Sequence, residues 1–396
     1  MTDQPLLPNG FRYAGVACGI KASGKLDISL IVAEEGVTAA GVYTQNQIVA
    51  APVLLAKSHT PAKGIRAVIT NSGNANACTG TEGMNDAIAM CDQVANLAGC
   101  KRSEVLIMST GVIGQRLPMT KVSHGIMDAY SNLENNADSF YAAAEAIRTT
   151  DNDRKVASKS IKVGGRTINI AAMAKGAGMI APNMATMLAV VLTDAPLLPE
   201  DAQSIISSAA EISFNKVSVD GHTSTNDSLL ILASGRSKPL ASEELTTFAS
   251  HVNEVCISLA KMLVADGEGA THVMAINVSG ADDDAAADEI ARTVAASQLV
   301  KTAITGGDPN WGRIVSAAGY AKAQIVPEKT SLKVCGIMIY ENGSPIEFDA
   351  AALSEKMKSS PEVDIDLVVG PGTGKSTFWS SDLTTEYVKF NSEYTT

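Results

Sequence analysis

Short runs rich in Val and Ile alternate with longer Ala-rich stretches along the whole chain, and this alternation limits the folds open to it. An apolar run bounded by turn residues suits a buried strand. Apolar residues recurring every three or four positions suit a helix packed on one face. Strands are expected at residues 26–33, 66–70, 105–108, 160–171, 187–192, 228–232, 272–278, 332–340 and 365–369. Gly164-Gly165 folds the fourth of these into a hairpin. Helices are expected at 85–98, 133–148, 201–210, 242–264, 284–300 and 350–358. This mixture reads as α/β or α+β, two layers of sheet covered by helices. At 396 residues the chain suits one large domain or two.

Hydrophobic residues make up 45% but aromatics only 4%, so the core must be built mainly from small, closely packed aliphatic side chains. The net charge of −11 argues against sequence-independent binding to nucleic acid or to anionic membranes. The start, MTDQPLLPNGF, carries neither the basic nor the apolar region of a secretory leader. The best hydropathy window, 170–192, is interrupted by Lys175, Pro182 and Asn183, well short of the ~20 apolar residues of a spanning helix. Cys18, Cys78, Cys91, Cys100, Cys256 and Cys335 form no CxxC pair, and no His lies at metal-ligand spacing around them. Reduced thiols in a cytoplasmic protein are expected, with neither metal nor cofactor.

One stretch carries most of the chemistry: KGAGMIAPNMATMLAVVLTDA, residues 175–195. By pattern it is a tight turn around Pro182-Asn183 feeding a buried strand. A second reading is chemical. If the Ala185–Thr186 bond breaks, Thr186 holds a hydroxyl and a free α-amine on one residue. A hydroxyl needs a base to act as nucleophile, and an α-amine of pKa about 7.7–8.0 can be that base. Before cleavage that nitrogen is an amide and is not basic. Thr186 is expected at the first position of a central strand, where a nucleophile is held rigidly.

Other segments offer what such a nucleophile needs. MSTGVIG (108–114) follows a strand, and its Thr110 hydroxyl and Gly111 N–H can aim together at an oxyanion, although most STG tripeptides are turns. Lys175, set among small apolar residues, can hold a carboxylate as a point charge. DGEGATH (266–272) reads as a helix C-cap with Gly267 or Gly269 left-handed. VVGPGTGKST (368–377) looks like a phosphate-binding loop, but Gly370 stands one residue too close to Gly374-Lys375, so a glycine turn is expected, with FWSSDLTTEYV after it as a further strand. The histidines His59, His124, His251 and His272 show no evident partner.

The match KGxGMIxPNMATML is long and specific, and the chain resembles the ornithine acetyltransferase (glutamate N-acetyltransferase) family over nearly its whole length. Further matching segments are GFRYAGVACGIK, AAGVYTQNQIVAAPV, NSGNANACTG, SFNKVSVDGHTSTNDS and GDPNWGRIVSAAGYA. The resemblance implies an αββα sandwich, like that of N-terminal-nucleophile hydrolases but differently connected. It implies self-cleavage at Ala185–Thr186 into an α chain (1–185) and a β chain (186–396), an α2β2 heterotetramer, and a smaller second domain within roughly 280–350. The implied reaction moves acetyl from N-acetylornithine to glutamate through acetyl-Thr186, with Thr110 and Gly111 as the oxyanion hole. Thr149, Lys175, Thr186, Glu268, Asn391 and Thr396 would bind substrate, the last two on a tail folded over the site and anchored by Tyr387, Phe390 and Tyr394. Acetyl-CoA is a co-substrate in bifunctional members, and the resemblance leaves both forms open. Two departures stand out: His222 where the family commonly has aspartate, and Ser381 where it more often has cysteine. Two other readings remain: a threonine-dependent amidohydrolase or aminopeptidase, which passes the acyl group to water, and a nucleotide binder using the glycine loop.

Overall fold

The computed structural model describes residues 4–181 and 187–393, which divide into two compact units. The first comprises the residues up to Asn215 with His222–Leu263; the second comprises Lys216–Gly221 with the chain from Val264 onward. Both mix strands and helices, as the alternating pattern leads one to expect.

The first unit opens with β1 (Phe11–Val16), β2 (Ile28–Tyr43), α1 (Ala51–Ser58), β3 (Ala62–Asn74), α2 (Gly80–Ala98) and β4 (Val105–Val112). It continues with α3 (Met119–Ser131), α4 (Ala137–Ala146), β5 (Lys155–Val163), β6 (Arg166–Lys175), β7 (Leu188–Thr193) and α5 (Pro199–Ile212). After an excursion into the second unit at β8 (Val217–Ser218), the chain returns for β9 (Ser228–Ala233) and α6 (Ser242–Ala265). The strands form one sheet in the order β4-β3-β2-β9-β7-β6-β5, with β1 also on β2. β7 is thus a central strand, parallel to β9 and antiparallel to β6. It is buried throughout, which explains its uninterrupted apolar sequence LAVVLT. The Gly164-Gly165 turn joins β5 to β6 with both residues at positive φ, the geometry a two-residue hairpin demands.

The core of this unit is mostly aliphatic. Ile28, Leu30, Ile65, Ile69, Leu106, Ile107, Val190 and Leu230 surround the few aromatics, among which Tyr13 meets Phe140 edge-to-face. α6 is as long and apolar as a membrane-crossing helix. Its Phe248, Val252, Cys256, Leu259 and Leu263 are buried at intervals of three or four, the stripe of a core helix.

The second unit holds β10 (Val273–Ala281), α7 (Asp284–Ala296), α8 (Gln298–Gly306), α9 (Trp311–Gly319), β11 (Ser331–Val334) and β12 (Ile337–Glu341). β13 (Ser344–Pro345), α10 (Ala350–Ser359), β14 (Glu362–Val368), β15 (Gly374–Ser381) and α11 (Thr385–Glu393) complete it. Its sheet runs β13-β12-β11-β14-β10-β15-β8, and α7 packs on β10 and β15.

Three expected elements differ. The helix over 284–300 is two helices, because Ser297 is extended and its hydroxyl caps α8 at the Val300 N–H (3.4 Å). The strand over 332–340 is a hairpin turning at Cys335 and Gly336, both at positive φ. The strand expected in FWSSDLTTEYV stops at Ser381; Thr384 then accepts from the Tyr387 N–H (3.2 Å) at the start of α11. The phosphate-loop lookalike is a turn entering β15. Lys375 pairs with Ser279 in the sheet, and its N–H is taken by Asp284 (2.8 Å), so a strand stands where a phosphate loop needs a helix.

Candidate active site

In the first unit, strand ends gather a buried polar cluster. Lys175 is the last residue of β6 and pairs with Leu188, the first of β7. It is 2% exposed, and its Nζ donates to Thr110 Oγ1 at 3.2 Å. An ammonium has only protons to give, so the Thr110 oxygen accepts and its own hydroxyl proton stays available to another acceptor.

Thr110 lies near the end of β4, held by its neighbours. The Ser109 hydroxyl donates to Asn71 Oδ1 (2.6 Å), and Asn226 Nδ2 donates to the carbonyls of Ser109 (2.9 Å) and Ala75 (2.7 Å). Gly111 follows with φ +132°, and a Cβ there would stand 2.3 Å from the Gly73 carbonyl carbon. Only glycine fits, because β3 bulges here: Asn74 faces both Thr110 and Val112.

Asp151 ties Thr149 to the turn after Lys175. One carboxylate oxygen accepts from Lys155 Nζ (2.6 Å) and the Gly176 N–H (2.6 Å); the other accepts from the Thr149 N–H (3.0 Å). Burial pushes its pKa up, but Lys175 and Lys155 outweigh that and hold it well below the usual carboxylate range. Nearby, Lys21 donates to the Leu26 carbonyl (2.6 Å). Burial pulls Lys21 down to about 8; Lys175 adds to the fall, against Asp27, Glu145 and Asp151.

Asp227 is fully buried just before β9. Its Oδ1 accepts from the Met187 N–H at 3.1 Å. Burial pushes its pKa well above the carboxylate range, although the Met187 N–H, Lys175 and the Thr44 and Ser224 hydroxyls pull the other way.

The second unit carries its own group. Asn391 on α11 donates to Glu268 Oε2 (3.0 Å) and to the Tyr387 carbonyl (3.1 Å). Glu268 sits in the turn after α6, where Gly269 is left-handed (φ +68°) and its carbonyl accepts from Thr384 Oγ1 (2.6 Å). His272, without a partner by sequence, meets Asp382 at 3.1 Å, and Asp382 also accepts from the Thr271 N–H (2.9 Å).

Of the expected site residues, Thr110, Lys175 and Thr149 are thus brought together in the first unit, and Glu268 and Asn391 in the second. Ala185, Thr186 and Thr396 lie outside the described residues. Asp151, Asp227 and Asn226 were not foreseen. The spacing of a lone Asp or Asn carries no signal, and only the pairing of distant strands gives these three their partners.

The sequence profile of the ArgJ family matches residues 12–396. The chain belongs to the ArgJ family. A Rhodopirellula baltica relative, named arginine biosynthesis bifunctional protein ArgJ, is 57% identical over all of this chain and 98% of its own. A Nitratidesulfovibrio vulgaris protein of the same name is 45% identical, with 98% of both chains covered. Among solved structures, the arginine biosynthesis bifunctional protein from Bacillus halodurans is 34% identical, with a TM-score of 0.50. The match covers 96% of that polypeptide but only 51% of this one, so the solved chain is about half as long.

Proposed function

We infer that this member of the ArgJ family is an autoproteolytic ornithine acetyltransferase. The observation that carries the reading is the buried Lys175–Thr110 bond. The donor-only ammonium of Lys175, at the end of β6 where it pairs with β7, fixes the Thr110 oxygen and frees the Thr110 proton for an oxyanion beside Gly111. The chain leading into β7 is the one that carries Thr186.

In maturation, the Thr186 hydroxyl attacks the Ala185 carbonyl. The acyl group shifts from nitrogen to oxygen, and water hydrolyses the ester to free the α-amine. A half-length polypeptide in the solved relative supports such a break. Thr186 then attacks the acetyl carbonyl of N-acetylornithine, and its amine takes the hydroxyl proton. Thr110 and Gly111 donate to the oxyanion, a contribution typically worth about 10²–10³ in rate per donor. Ornithine leaves, glutamate takes the acetyl group from Thr186, and the kinetics are ping-pong. Thr149, Lys175, Glu268, Asn391 and Thr396 are the residues that the family resemblance assigns to substrate binding. Acetyl-CoA serves as a second donor in the bifunctional form. The assembly is α2β2, in the cytoplasm.

The test joins a denaturing gel, mass spectrometry and acetyl release. Wild type gives two fragments, the second beginning TMLAVV, and Thr186→Ala stays whole. Acetyl release requires glutamate. Release to water at the same rate without glutamate identifies a hydrolase instead.

A further inference from the structure

The second unit contains a recess of about 270 Å³ that the mechanism leaves unused. Its walls are β8 and the turn after it, the junction of α7 and α8, and the start of α11. Gly221, Ala296 and Gln298 are exposed at its mouth, while Ser218, Ala295 and Lys301 are buried at its base. Lys301 is 6% exposed, and its ammonium donates to the Val219 carbonyl. An ammonium has three protons to give, and no second acceptor takes one among the described residues. Burial pulls the Lys301 pKa down to about 8, against the fields of Asp220 and Asp382. A buried cation met this incompletely costs stability and calls for a reason.

The two aspartates are committed elsewhere. Asp382 accepts from the Thr271 N–H (2.9 Å) and hydroxyl (2.5 Å), meets His272 Nδ1 (3.1 Å) and accepts from the Thr305 hydroxyl (3.2 Å). Asp220 lines the recess and accepts from the Tyr387 hydroxyl, which orients it. The recess therefore presents a cation at its base and an anion on its wall. A simple anion would be drawn to Lys301 and repelled by Asp220, and a simple cation the reverse. A molecule that carries both charges a few ångströms apart satisfies both. The volume falls below the roughly 300–1,000 Å³ of pockets for drug-sized ligands, so the occupant is small.

We propose that the recess is a second binding site, for a small zwitterionic α-amino acid, with its carboxylate on Lys301 and its ammonium on Asp220. Leu383 and Ala295 supply apolar wall for a short side chain. Such a site is independent of the acetyl-transfer reading, since none of the residues assigned to that reaction lines it.

Calorimetric titration of the full-length protein with glycine and with alanine tests this. Wild type binds either one saturably. Lys301→Met and Asp220→Asn each weaken binding by at least about tenfold, because each leaves one charge of the ligand unpaired. Lys175→Met binds both as wild type does. Acetate and methylamine, which carry one charge each, bind at least about tenfold more weakly than glycine. If Lys301→Met does not fold, Asp220→Asn, on a half-buried turn, still decides. The absence of saturable heat with both amino acids overturns the site. Binding that survives the substitutions at Lys301 and Asp220, or that is lost in Lys175→Met, places the ligand elsewhere and overturns it too. Acetate binding as tightly as glycine overturns the zwitterion. None of these outcomes touches the cleavage before Thr186, which its own gel decides.

Discussion

The polar group around Lys175 and the one around Glu268 are built on opposite plans. Lys175, Asp151 and Lys155 are nearly sealed from solvent, and their hydrogen bonds reach across four segments of the first unit. Glu268, in a half-buried turn, accepts from Asn391 on an exposed helix face. A buried ion cluster is rigid because breaking it strands a charge in a medium that cannot solvate it. An exposed pair costs little to open, since water replaces either partner. The first plan suits groups that must be in place before a substrate arrives, and the second suits groups that exchange one partner for another.

Substitutions can break this contrast, beginning with the largest expected effect. Asp151→Asn removes the anion from two buried lysines and should lower stability by about 3–5 kcal/mol in urea titrations near neutral pH. The sign of its pH dependence follows from the depressed folded pKa. The wild-type advantage is fully present above the ordinary Asp value of about 3.9 and is lost as pH falls below it toward the folded value. A constant gap between the two proteins down to pH 2 would mean that Asp151 contributes packing alone.

Lys175→Met keeps the volume but strips the charge and the Thr110 bond. A fall in kcat/KM of at least about 100-fold is expected, with a smaller loss of stability than for Asp151→Asn because Lys155 still pairs the carboxylate. Unchanged turnover would remove Lys175 and Thr110 from the reaction. Gly111→Ala drives a methyl into the β3 bulge and should cost about 1–3 kcal/mol, read as a lowered denaturation midpoint. Kinetics on the folded fraction would then show whether the displaced N–H also slows the reaction.

Glu268→Gln is the smallest effect on stability, within about 0.5 kcal/mol. If the open pair exists to be exchanged, KM rises roughly tenfold while the unfolding midpoint stays put. A stability loss as large as that of Asp151→Asn would erase the distinction between the two groups.

Much of the strand framework was legible because it is a local property. LAVVLT, SLLILA and the Gly164-Gly165 hairpin announce themselves through apolar runs and turn chemistry. β1 was missed, since FRYAGV mixes charge and small residues and becomes a strand by pairing with β2. The break at Ser297 and the start of α11 at Thr384 turn on a single hydroxyl each, and Ser and Thr are as common in loops as at caps. At the candidate site, Thr110, Gly111, Lys175 and Thr149 were named from motifs and resemblance. Asp151 and Asp227 were not, because an isolated aspartate acquires meaning only from what surrounds it.

By itself, the sequence determined the mixed α/β class, the aliphatic core, the apolar strand that begins at Leu188 and the membership of the ArgJ family. Apolar periodicity, turn residues and long motifs are written in consecutive residues. Tertiary structure alone decided that Lys175 bonds Thr110 from 65 positions away, that Asp151 joins Thr149 to Gly176, and that Asp227 grips the amide beside Thr186. Strand order and burial set those contacts. Both arise from the packing of the whole sheet, and no stretch of the chain specifies them locally.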